Sequence, residues 1–129
     1  MAFLKVILNT QMNLTHRYQA NNVLVLEPRA IKLTGKNTQV LLKALTQFIS
    51  QGQNVVLDLA GVQFIDSLGL GALLACLRIV EVFNGQLHLC ELSQTVEQLF
   101  KLMRLNNSIK IYGTCANAVQ GFAVLTLAT

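Results

Sequence analysis

Hydrophobic positions change period along this chain, and each change marks an element. Val23-Leu24-Val25-Leu26 follows Asn21-Asn22 and stops at Glu27-Pro28. A run that short between turn residues predicts a strand. Before it, Met12, Leu14, His16 and Tyr18 alternate with other residues, which predicts a partner strand over 12–18 and a hairpin across Asn21-Asn22. Thr34-Gly35-Lys36-Asn37-Thr38 supplies turn and cap residues. Leu41, Leu42, Leu45, Phe48 and Ile49 then recur at helical spacing, and Gly52 closes the segment. Residues 54–59 are rich in branched apolar side chains and predict a strand covered on both faces. The apolar stretch from Leu68 to Phe83 predicts a second helix, ended by Asn84-Gly85. Residues 86–90 predict another strand. Ser93 caps a third helix with a stripe of Val96, Leu99, Phe100 and Met103. A short strand over 109–112 and a small-residue helix over 114–123 follow, with a frayed apolar tail. Residues 3–8 predict an extra strand or an arm.

Strands alternating with helices call for right-handed crossovers. The expected fold class is therefore α/β: a mixed, mainly parallel β-sheet with helices packed on it, after an N-terminal hairpin. No linker or internal repeat divides the 129 residues, so one domain is expected.

Composition sharpens this in two ways. Apolar residues make up 53% of the chain and charged residues 12%, about half the usual charged share. So little charge leaves apolar area exposed, which tends to mark partner contacts. The net charge of +4 is spread over scattered basic residues, so no nucleic-acid stripe is expected. The longest apolar run, Leu68–Leu77, is far short of the roughly 20 residues that span a membrane. No signal peptide is expected from residues 1–8. Three cysteines (Cys76, Cys90 and Cys115) form no CxxC, which fits free thiols in a reducing cytoplasm.

The candidate chemistry centres on Asp66-Ser67-Leu68-Gly69-Leu70-Gly71. Ser67 stands where a helix cap is needed, and a cap is the plain structural reading. The same amides and dipole that favour a cap also stabilise an anion, so a phosphoryl group on Ser67 would be tolerated there. Gly69 and Gly71, with Ala72, keep the helix start small. They serve close packing or leave room for a partner to reach Ser67. Asp58 and Asp66 lack a third acidic ligand for Mg²⁺ and a base for catalysis, so Asp58 is expected to bond its loop and Asp66 to shape the turn. His88 and Cys90 share a strand face, but no third ligand stands at useful spacing, and no metal or cofactor is expected. Cys76 reads as core packing.

The run 55–71, VVLDLAGVQFIDSLGLG, resembles the signature of STAS domains of the anti-sigma factor antagonist family. The agreement continues in Asn84-Gly85-Gln86-Leu87 and through 93–105, so the likeness covers residues 12–125, leaving 1–11 as a possible N-terminal extension. It implies a cytoplasmic, non-enzymatic regulator with two partners: a serine kinase that doubles as an anti-sigma factor, and a metal-dependent serine phosphatase. The phosphorylated residue would be Ser67, and release would follow its modification. The resemblance also implies a partner-binding face of Asp66, Ser67, Leu68, Gly69, Gly71 and Ala72, with Thr34 and Asn37 from the preceding loop. Two departures stand out. Leu68 occupies the place of a second serine, which makes Ser67 unambiguous. Lys32 and Thr34 stand where an acidic residue is usual, which moves the expectation toward a divergent kinase. The alternative is a constitutive STAS scaffold or ligand-binding module, as a weak homo-oligomer, with Ser67 only a cap.

Overall fold

A computed structural model describes residues 13–128, with side chains to 122. The arm or strand expected over 3–8 lies outside the described residues. The chain forms β1 (Asn13–Gln19), β2 (Val23–Arg29), β3 (Lys32–Leu33), α1 (Thr38–Phe48), β4 (Val55–Asp58), β5 (Phe64–Ile65), α2 (Ser67–Val82), β6 (Leu87–Cys90), α3 (Gln94–Leu102), β7 (Lys110–Tyr112) and α4 (Cys115–Ala128). The main sheet has the order β1-β2-β4-β6-β7. Among the described strands of this sheet, only β1–β2 is antiparallel; β2–β4, β4–β6 and β6–β7 are parallel. The expected fold class is the observed one.

Strand alternation divides the core in two. Leu24, Leu26, Val55, Leu57, Leu87 and Leu89 face α1, α2 and α3, where they meet Leu41, Leu45, Leu73, Val80 and Phe100. Val23, Val25, Val56 and Cys90 face the other way and pack on Ala118 and Phe122 of α4. Burying both faces is what the branched run over 54–59 required. His88 also lies on the α4 side. Its Nδ1–H donates to the Ala118 carbonyl at 2.8 Å and its ring stacks on Phe122 at 3.7 Å. Burial holds this imidazole below its ordinary pKa.

Several boundaries differ from expectation for physical reasons. The hairpin turn over Ala20–Asn22 puts Asn21 and Asn22 in the left-handed region, at φ 62° and 60°, a backbone region that Asn tolerates. β2 runs on through Pro28 because its pairing with β4 ends at Leu26, so the missing amide is not needed on that side. Met103 is not a core position: it follows the end of α3 and is exposed. The backbone of α4 extends as helix past the expected fraying point. A second sheet, which no sequence period announces, forms where β3 pairs parallel with β5 through Lys32–Phe64 and Leu33–Ile65.

Candidate functional site

The small β3–β5 sheet positions everything around Ser67. Gln63 and Phe64 donate their amides to the Ile31 carbonyl at 2.8 and 3.1 Å, and Asp66 donates to the Leu33 carbonyl at 3.2 Å. This pairing holds Asp66 extended (φ −88°, ψ −178°), the backbone an N-cap needs. Asp66 is indeed the cap. Its Oδ1 accepts from the Gly69 amide at 2.7 Å, and its carbonyl accepts from Leu70 at 2.9 Å. The cap expected at Ser67 therefore sits one residue earlier, and Ser67 is the first helical residue of α2.

The consequence is chemical. Ser67 is exposed, and among the described residues no hydrogen bond engages its hydroxyl. The amides of Ser67 and Leu68 at the start of α2 likewise have no acceptor among the described residues. A nucleophilic oxygen thus projects from the positive end of a 16-residue helix beside free donors.

The expected partner-facing residues divide by depth. Asp66, Ser67, Leu68 and Gly71 are exposed, and Thr34 is half-buried. Gly69, Ala72 and Asn37 are buried, so they shape the surface from beneath. A Cβ at Gly69 would collide with the Leu33 carbonyl, whereas one at Gly71 would meet nothing within 4 Å. The two glycines therefore answer different needs: close packing of α2 on β3 for the first, and open surface for the second. Asn37 braces its own loop, donating to the Lys32 carbonyl at 2.8 Å and accepting from the Thr34 amide at 2.9 Å. Gly35 lies under Leu68, whose side chain fills the space a Cβ would take.

Three large apolar side chains rim this tip: Ile31, Phe64 and Leu68 are 61%, 48% and 65% exposed. Lys32, Thr34, Phe64, Ile65 and Asp66 line a groove of about 300 Å³ beside it. Ile31 and Phe64 carry no local signal in the sequence. They turn outward because two-residue strands pair there, and a two-residue strand has no readable period.

The remaining candidates fall away from the tip. Asp58 bonds its loop as expected, its Oδ1 accepting from the Ala60 amide at 3.1 Å. His16 stacks on Phe48 at 3.8 Å. His88 has its Nδ1 engaged by the Ala118 carbonyl and its ring stacked on Phe122. Cys76 lies in the core, where burial pushes its thiol up to about 12.

Known proteins share this fold. The sequence profile of the STAS domain family matches residues 16–118. The chain belongs to the STAS domain family. An anti-sigma F factor antagonist of Paenibacillus polymyxa is 29% identical over 76 residues, 59% of this chain and 65% of that one. An anti-sigma-factor antagonist (STAS) domain protein of Planctomyces limnophilus shares the STAS fold with a TM-score of 0.75 at 20% identity, over 85% of this chain and 97% of that one. The antagonist SpoIIAA in its unphosphorylated form gives 0.60 at 15% identity, over 85% and 96%. STAS proteins of the anti-sigma antagonist type are regulators rather than enzymes. Among the described residues of this STAS domain, no helix is long and apolar enough to cross a membrane.

Proposed function

We propose that this chain is a phosphorylation-controlled partner switch. Unphosphorylated, it binds a serine kinase that also acts as an anti-sigma factor. Phosphorylation of Ser67 releases it, and a metal-dependent serine phosphatase restores it. The observation that carries this reading is the division of labour at the start of α2: Asp66 caps the helix, so the exposed Ser67 hydroxyl is left free to react. The anti-sigma factor antagonists among its relatives support the choice of partner.

The binding face is the tip itself, with Ile31, Phe64 and Leu68 as apolar anchors around Ser67. The free amides at the helix start accommodate a phosphate without disturbing the fold. The phosphate still places about −2 charge amid side chains that must be desolvated in the complex, against the partner's nucleotide-bearing site. Lys32 and Thr34 line the groove beside the tip, and their position in place of an acidic side chain points to a kinase with a more acidic docking surface.

The test is equilibrium binding to serine kinases of the anti-sigma factor class. Wild type and Ser67→Ala are expected to bind alike. Ser67→Asp is expected to bind at least about tenfold more weakly, or ~1.4 kcal/mol. Equal binding by all three would return Ser67 to a purely structural position and favour a constitutive scaffold.

A further inference from the structure

Three potential ligands for a soft metal ion converge on the opposite face of the sheet. Asp58 and Cys90 end the neighbouring parallel strands β4 and β6, and they are paired directly in register. Their side chains therefore lie side by side on the α4 face. Cys115, the first residue of α4, closes on them from above. One carboxylate oxygen and the two sulfurs all lie within 4.8 Å of one another. Ligands about 2.3 Å from a tetrahedral zinc ion stand nearly 4 Å apart, so only a small contraction would close this set on an ion.

We propose that Asp58, Cys90 and Cys115 form a binding site for a thiophilic divalent cation of the zinc class. The two sulfurs select a soft or borderline ion over Mg²⁺ or Ca²⁺. The carboxylate is held in place: Asp58 Oδ1 accepts from the Ala60 amide, and Oδ2 lies 3.7 Å from the Arg17 guanidinium. Asp58 and Cys90 are buried and Cys115 is half-exposed. A fourth position is thus open to water on the Cys115 side.

The surroundings are built to hold excess negative charge. The Arg17 guanidinium reaches in from β1, 3.4 Å from Cys115 Sγ and 3.7 Å from Asp58 Oδ2, while its other nitrogen is 3.4 Å from Glu27. With both thiols deprotonated, the three ligands carry three negative charges. A divalent ion and Arg17 together neutralise them. Bound there, the ion would tie β4, β6 and α4 together at the strand ends from which the 59–63 loop departs toward Ser67.

The site is tested by titrating the reduced full chain with Co²⁺ in the presence of a phosphine reductant. One equivalent is expected to produce thiolate-to-cobalt charge-transfer absorption and the strong visible bands of a tetrahedral ion. One equivalent of Zn²⁺ is expected to erase them. Cys115→Ser, at a half-exposed helix start that tolerates it, is expected to halve the charge-transfer intensity and weaken binding at least about tenfold, the scale of losses at metal sites. Asp58→Asn is expected to weaken binding while keeping the charge transfer, and Cys76→Ala is expected to change nothing. Two results would overturn the proposal: no tetrahedral spectrum, or a spectrum unchanged in Cys115→Ser.

Discussion

Ser67 and Asp66 are adjacent, and both residue types rank among the best N-caps. Local sequence does not choose between them. The choice is made by the bond from the Asp66 amide to the Leu33 carbonyl, which fixes Asp66 in the extended backbone of a cap. That contact joins residues 33 positions apart, which is why it was invisible in the motif itself. The two residues are separable by stability. Asp66→Ala is expected to cost about 0.5–2 kcal/mol in urea unfolding. Ser67→Ala is expected to stay within about 0.5 kcal/mol, as for an exposed side chain without partners. If Ser67→Ala were the costlier change, Ser67 would be the cap and its hydroxyl would not be free. The cysteines are separable by reactivity. Native alkylation is expected to reach the half-exposed Cys115 first and to spare Cys76 until unfolding. The raised Cys76 pKa also has a sign in stability. Above pH 9.0 the unfolded chain sheds this proton while the folded chain keeps it up to about pH 12, so stability falls through that window. Cys76→Ala is expected to make the fall shallower.

At the scale of elements, long periodic segments were legible and short paired ones were not. The stripe of α1, the branched β4 and the Ser93 cap of α3 each carried a strong local pattern, and each appears in place, with Ser93 Oγ accepting from Val96 at 3.2 Å. β3 and β5 are two residues each and exist only through each other. Missing them hid the outward turn of Ile31 and Phe64 and the reason for Gly69. That glycine is a packing requirement, because α2 crosses β3 with no space for a Cβ over the Leu33 carbonyl. Gly69→Ala is expected to destabilise the fold by about 1–3 kcal/mol, as overpacking does. Gly71→Ala, on the open surface, is expected to gain up to about 1 kcal/mol from helix propensity alone. Thermal unfolding of the two variants distinguishes the roles. If both shifted stability in the same direction, α2 would not pack on β3 as described.

Across the whole molecule, the two sheet faces do different work. One face is closed by α1, α2 and α3, and the C-terminal ends of its strands lead into the exposed tip at Ser67. The other is closed by α4, over a cluster of charged and thiol side chains. The low charge content foretold exposed apolar area. It did not foretell where that area would lie, because the sorting of Ile31, Phe64 and Leu68 to one rim depends on the pairing of distant strands. The central claim is that this rim surrounds a reactive serine. It is tested most directly by incubating the protein with ATP and serine kinases of the anti-sigma factor class, then locating phosphate by peptide mass spectrometry. The account predicts a single phosphoryl group, on Ser67, that is absent from Ser67→Ala. Phosphate on another residue, or none with any of these kinases, would contradict it.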